Sequence, residues 1–265
     1  MLTIHKKQGK ALVALLILPL GSTALVDGPP TNLAILVDQP EPAQALARYF
    51  ARASNCEPWS EPNAVWMEID ASLPRLAERG HLRAIRDWAE HHTPDYQVIQ
   101  IEGDDMVKQQ VIARYLAAEK QAAETPASSV AIMPANYKFH YAETGGGTRV
   151  YVFQITPRKK RPGLIKGELW IDRATGIAVH EAGYFVKSPS MFIRRLKITR
   201  DVSLRDGVPY LRTTNIDVDI RLLGPADLMI TEIPCVRSPS TITTAAGNIA
   251  IERSRNNGDT CVTVQ

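Results

Sequence analysis

The chain has 265 residues, with 31 lysines and arginines against 28 aspartates and glutamates, a formal net charge of +3. Lys6, Lys7 and Lys10 account for that excess and no acidic residue precedes Ala24, so the remainder carries 31 − 3 = 28 basic and 28 acidic side chains. Such a balance excludes the global electrostatic attraction on which nonspecific nucleic-acid binding rests.

Residues 1–24 have the layout of a secretory signal: a basic start, the apolar run Ala11 to Leu20, then Gly21-Ser22-Thr23-Ala24. The apolar core is about ten residues, short of the roughly 20 that a spanning helix needs. A retained anchor helix continuing through Leu25-Val26 is the alternative. The expected mature chain is soluble and periplasmic, or otherwise exported to the cell envelope. In an oxidising compartment the three cysteines allow one bridge and leave one thiol over. Cys235 with Cys261 is the candidate disulfide, and pairings with Cys56 stay open. No spacing suggests a zinc or redox pair.

Residues 25–63 read as a proline-rich extended segment followed by an amphipathic helix from Glu41 to near Asn55, with Ala43, Leu46, Ala47, Phe50 and Ala51 at helical spacing. Val65 to Ala71 alternates as a strand. Leu73 to Glu90 has two readings: its composition favours helix, but Pro74 and Gly80 interrupt it, and Gly80 suits the turn of a hairpin. Tyr96 to Ile101 is a strand. A long helix is expected over 104–124, with Asp104 and Asp105 at its positive end and Val107, Val111, Ile112, Tyr115 and Leu116 as one apolar stripe. From Asn136 to Pro234 strands and short turns alternate with no crossover helix, which demands an antiparallel sheet. Arg149 to Ile155 is apolar on both faces, whereas Asn215 to Leu222 sends Ile216, Val218, Ile220 and Leu222 one way and charge the other. The fold class is α+β, mainly antiparallel β. Residues 235–265 form a C-terminal extension, with Asn256 to Asp259 as the turn of a hairpin leading to a last strand at Cys261 to Val264.

Glu102 to Lys108 followed by Val111 to Leu116 resembles the entry into the long helix of the bacterial outer-membrane lipoprotein-sorting and lipoprotein-carrier-like proteins. So do Val150 to Gln154, Pro157 to Arg161, Gly167 to Asp172 with Thr175-Gly176, and Val186 to Ser190. The resemblance covers roughly Val65 to Ile233. It implies an open, unclosed β-barrel of about eleven strands over 64–234, with helices covering its concave face, and it favours the hairpin over Leu73 to Glu90. In the carrier this face accepts lipoprotein acyl chains. No motif fixes that carrier's functional residues one by one, and the stretch after Pro234 departs from the family's short form.

An unclosed sheet whose concave face is apolar shields acyl chains at about 0.8 kcal/mol per buried CH₂. The same side chains also suit an ordinary core packed against the long helix. Candidate ligand contacts are Val111, Tyr115, Tyr151, Phe153, Ile155, Trp170, Tyr184 and Phe192, with Val150 and Val152 as alternatives if the opposite face is concave. Arg158, Lys159, Lys160 and Arg161 form an exposed turn that suits a headgroup or an acidic partner, or simply a solvated hairpin tip. Arg195 and Lys197 share a face, and a lipid carbonyl, Asp217 or Asp219 would serve as partner. Asp217 and Asp219 suit cross-strand pairing, and Asp104-Asp105 suits capping. His91-His92 lacks further metal ligands. Gly145-Gly146-Gly147 lacks the helix of a phosphate cradle, and no hydrolase motif is present.

The expectation is therefore a non-enzymatic envelope protein, without metal or cofactor, that binds or carries an acyl chain or lipoprotein anchor. The partners would be lipid or lipoprotein acyl chains and a membrane-bound donor or acceptor protein, with peripheral membrane contact and no nucleic acid. The alternatives are an envelope lipid or lipoprotein sensor or adaptor acting through a protein partner, and an enzyme acting on envelope lipids.

Overall fold

The computed structural model describes residues 41–54, 64–88, 93–142, 149–238 and 260–263. The expected signal, Cys56, His91-His92, the triple glycine and the turn at Asn256 to Asp259 lie outside them. Helix α1 spans Pro42–Ser54, and strands β1 (Val65–Leu73), β2 (Glu78–Trp88) and β3 (Pro94–Gly103) follow. Next come α2 (Asp105–Val107), a π-helical turn (Lys108–Ile112), α3 (Ala113–Ala123) and the short α4 (Ala127–Val130). The remaining strands are β4 (Tyr137–Ala142), β5 (Val150–Pro157), β6 (Ile165–Asp172), β7 (Ala178–Phe185), β8 (Ile193–Arg205), β9 (Val208–Ile220), β10 (Gly224–Ser238) and β11 (Thr260–Thr263).

Turns this short permit only antiparallel neighbours, and ten strands follow one path, β3-β2-β1-β10-β9-β8-β7-β6-β5-β4, with β11 paired to the far end of β10. Among the described residues the path does not close, and β3 and β4 are its edges. None of the described helices is long and apolar enough to cross a membrane.

The ambiguous stretch is a hairpin, and its turn differs from expectation. Pro74 to Ala77 make the turn, Leu76 N–H donating to the Leu73 carbonyl at 2.9 Å and Ala77 taking φ 56°. Gly80 lies inside β2, opposite Ala71 and Gly103. Its missing side chain is a packing requirement, since a Cβ there would stand 3.0 Å from Val107 Cγ1. Gly103, at φ +96°, is required where β3 turns into the helix, because a Cβ would meet the Arg79 carbonyl at 2.3 Å.

The long helix runs over the expected residues but is interrupted by the π turn. In a regular α-helix Ile112 would stand far round from Val107, and the wider turn brings Val107, Val111 and Ile112 together as buried residues. They join Met67, Ile69, Leu82, Leu228 and Ile230 in one apolar cluster. A second cluster gathers Tyr137, Tyr151, Phe153, Ile155, Leu169 and Ile171 with Ala45 of α1, and Leu46, Tyr49, Val130 and Ile132 pack against it. Register places both on one face: Ile198 of the second cluster pairs with Ile216, Ile216 with Leu228, and Leu228 with Ala71. Ile216 packs against both.

Gly80→Val is expected to cost about 1–3 kcal/mol by overpacking against Val107, read as a lower denaturation midpoint with loss of amide protection concentrated in Lys108–Ile112.

Candidate functional site

On this apolar face, three strands carry a charge where their alternation calls for an aliphatic residue. In β2 the buried series Gly80, Leu82, Ala84 ends in Arg86; in β10 the series Ala226, Leu228, Ile230 ends in Glu232. Arg212 of β9 stands directly across from Glu232. Arg86 and Glu232 are only 2% and 3% exposed. Charges so deep persist only when paired, and these are: Arg86 Nη2 lies 2.6 Å from Glu232 Oε1, and Arg212 Nε 2.5 Å from Glu232 Oε2.

The network continues into the helix. Arg86 Nη1 donates to Glu119 Oε1 of α3 at 2.5 Å, and the Tyr96 hydroxyl of β3 donates to Glu119 Oε2 at 2.8 Å. The Trp88 ring lies 5.0 Å from the Arg86 guanidinium, and Lys120 stands over Tyr96. No residue of α3 is buried, and Tyr115 and Leu116 pack only partly against the first cluster. Glu119 therefore carries much of the attachment of α3 to the sheet.

Burial alone would raise the Glu232 carboxyl, but Arg212, Arg86 and Arg200 outweigh it and hold it below the usual carboxylate range. Burial would lower Arg86, yet Glu232 and Glu119 push it above its ordinary value. Burial, then the Glu119 carboxylate, drives the Tyr96 and Tyr115 hydroxyls upward. At neutral pH the site thus holds fixed charges and neutral phenols, an arrangement suited to locking geometry and orienting a polar group. Further along the same face, Arg200 of β8 pairs with Glu181 of β7 at 3.1 Å.

Of the candidate contacts, Val111 is buried in the first cluster and Tyr115 packs against it, while Tyr151, Phe153 and Ile155 lie together in the second. Trp170, Tyr184 and Phe192 belong to neither. Trp170 stacks on His180 with ring centroids 4.6 Å apart and donates to Glu168, which this bond and one from Gln154 help to hold below its usual value. Tyr184 and Phe192 are exposed. Arg158 donates to the carbonyls of Pro134 and Tyr137, and Arg161 to the Ser129 carbonyl and the Asn136 amide oxygen. Those two arginines clamp the loop before β4, which a solvated hairpin tip would not do; Lys159 and Lys160 remain exposed. Arg195 stands opposite Asp219 with its guanidinium over Tyr184, and Lys197 is 3.6 Å from Asp217. Asp104 accepts from the Arg79 N–H, and Asp105 pairs with Lys108 at 2.8 Å, which lowers its carboxyl. Cys235 is disulfide-bonded. Its expected mate Cys261 lies on β11 opposite Arg237, in a stretch whose side chains lie outside the described residues.

Two pockets of the described residues have polar or charged linings. An open pocket of about 610 Å³ lies on the opposite face, lined by Asp70, His81, Glu102, Asp217 and Asp227 among others. Asp227 is raised there by burial and by Asp217 across the ladder. A second, of about 410 Å³, is bounded by Tyr184, Ser188, Arg194 and Arg195. No group of three or more metal-ligating side chains occurs among the described residues.

Together these features define an open, mainly antiparallel sheet with few helices and a buried ionic network on its apolar face. Solved structures similar to it include MucB, at 11% identity over 72% of this chain and 92% of that chain with a TM-score of 0.25. The Pseudomonas aeruginosa MucA/MucB complex matches at 11% over 72% and 93% with a TM-score of 0.22, and MucB bound to MucA(peri) at 10% over the same shares with 0.21. No family model and no curated protein matches the chain.

Glu232→Gln leaves Arg86 and Arg212 facing a neutral amide and is expected to cost about 3–5 kcal/mol. Because the folded-state carboxyl lies below the unfolded value of about 4.3, its contribution is complete above that pH and is lost as pH falls through the folded value. Denaturant titrations across the acid range should show a steep decline below about pH 4.3 in the native chain and a flatter one in the variant.

Proposed function

We propose that the chain is an exported envelope adaptor that engages an extended segment of a protein partner along edge strand β3. The observation that carries this is the contrast between the two edges. β4 is six residues long and presents Lys138 and His140 to solvent, the guarding expected of a protected edge. β3 has ten residues, and Val98, Ile99 and Ile101 are all exposed on it. Among the described residues no strand pairs with its outer side. An edge of this length, apolar at Val98, Ile99 and Ile101 and acidic at Asp95 and Glu102, offers backbone hydrogen bonds to an incoming strand, with its side chains supplying specificity. The signal-like start and the bonded Cys235 support an exported location.

Acyl-chain carrying is a second reading, favoured by the weak hold of α3 over the first cluster. Lifting α3 breaks two hydrogen bonds at Glu119 and exposes no fully buried residue of that helix, and would open the first cluster to a fatty tail where Tyr115 and Leu116 pack against it.

A photo-crosslinker placed at Ile99 should capture one defined envelope protein. Ile101→Lys or Gln100→Pro should reduce that capture at least about tenfold through lost edge pairing, while Lys159→Gln with Lys160→Gln leaves it unchanged. Retention of the partner by both edge variants would exclude strand addition. For the second reading, organic extraction of the native chain should release lipid, and a disulfide engineered between α3 and the sheet should abolish that loading.

A further inference from the structure

The antiparallel path brings four turns to one end of the sheet: β1–β2, β5–β6, β7–β8 and β9–β10. Three of them expose apolar side chains at their tips. Leu76 is exposed in the first, Met191 and Phe192 in the third, and Leu222, at 85%, in the fourth. These tips adjoin one another. Arg221 N–H donates to the Phe192 carbonyl at 2.9 Å, tying the third turn to the fourth. Arg75 lies against Gly224, where a Cβ would meet its Cδ at 2.5 Å, which ties the first turn to the fourth.

The presentation is built into the chain. Ser188 Oγ donates to the Ser190 and Ile193 carbonyls at 2.7 and 2.9 Å, and Phe192 N–H donates to Ser190 Oγ at 3.2 Å. That internal bracing holds Met191 and Phe192 outward, where no described segment covers them.

Exposed basic residues alternate with these tips: Lys187 and Arg194 beside Phe192, Arg221 beside Leu222, and Lys159-Lys160 on the β5–β6 turn. The carboxylates at this end include Glu102, Asp217 and Asp227 of the open pocket, Asp217 standing 3.6 Å from Lys197 and Glu102 accepting from Gln100. Asp219 stands opposite Arg195, Asp104 accepts from Arg79 N–H, and Asp105 pairs with Lys108. Glu78 is half-buried.

Apolar tips in a cationic collar fit a partner that is negatively charged at its surface and apolar beneath, which is the profile of a bilayer bearing anionic lipid. We propose that this end of the sheet docks on an anionic membrane surface, with Met191, Phe192 and Leu222 entering below the headgroups and Arg194, Arg221 and Lys187 contacting the phosphates. The inference stands independently of the edge-strand reading, since it uses none of the residues of β3.

The test is co-sedimentation of the full-length chain with vesicles of phosphatidylcholine alone and of phosphatidylcholine mixed with phosphatidylglycerol. Binding should favour the mixed vesicles at least about tenfold and weaken as salt is raised. The triple variant Met191→Ser, Phe192→Ser, Leu222→Ser should lose that binding at an unchanged thermal midpoint, since all three side chains are exposed. Lys187→Gln with Arg194→Gln and Arg221→Gln should remove the preference for the anionic lipid. Leu222→Trp adds a readout on a fully folded chain, a blue-shifted emission on mixing with the anionic vesicles. Equal binding by the native chain and the serine variant would overturn the proposal. So would a Leu222→Trp spectrum unmoved by vesicles, or an apolar tip whose substitution changes only self-association without lipid.

Discussion

One guanidinium, that of Arg86, receives two carboxylates from different parts of the chain: Glu232 from β10, across the intervening β1, and Glu119 from the helix. Neither attachment is replaceable by an apolar contact without rearranging the rest. Removing Glu232 leaves the buried Arg86 with Glu119 alone and takes away the carboxylate facing Arg212; removing Arg86 leaves the buried Glu232 with Arg212 alone and breaks the link to α3. An ion pair of this depth is weak evidence for net stability, because desolvation consumes most of the Coulombic gain. Its value lies in uniqueness of arrangement. Val107, Val111 and Ile112 anchor the start of the helical stretch by burial, but α3 contributes no buried residue. An apolar surface alone would tolerate α3 at several rotations and registers, whereas a carboxylate accepting from both Arg86 and Tyr96 tolerates one.

The strand order from Asn136 onward was legible because turn chemistry and alternation agreed. Pro157 to Pro162, Asp172 to Gly176, Ser188 to Ser190, Arg205 to Gly207 and Gly224-Pro225 all lie at strand boundaries. Leu73 to Glu90 was harder because its leucines, alanines and charged residues satisfy helical propensity locally, and only the need of β1 for a second partner decides for a strand. Gly80 misled for a related reason. It marks the close approach of Val107 from a helix more than twenty residues further on, a long-range cause with no local signature. The π turn was likewise invisible, since its residues read as ordinary helix and only the demand to bury both Val107 and Ile112 produces it.

The ionic network carries a signal in the sequence. Arg86 and Glu232 each occupy the apolar phase of an alternating strand, and a charge in phase with Leu82-Ala84 or Leu228-Ile230 has to find a partner across the ladder. The pairing itself was not readable, because β1 separates β2 from β10 and nothing local reports that strand order. Trp170 and Tyr184 are candidate contacts in sequence beside Tyr151 and Phe153. Register sends them to the other face: Trp170 lies across from His180, and Tyr184 across from Lys166 and Lys197.

The two proposed surfaces constrain each other through topology. Membrane contact at the β1–β2, β7–β8 and β9–β10 turns uses strand ends, so the strands would project away from the lipid rather than lie along it. An edge strand then runs outward from the surface, with its free backbone facing sideways. β3 meets that description: Gly103, opposite Gly80, lies at the end that would face the lipid, and Pro94, opposite Trp88, at the far end. A partner anchored in the same membrane would emerge beside Gly103 and pair progressively toward Pro94. The acidic residues Asp104 and Asp105 stand at the point of entry; Lys108 offsets the charge of Asp105, while Asp104 accepts from the neutral backbone N–H of Arg79.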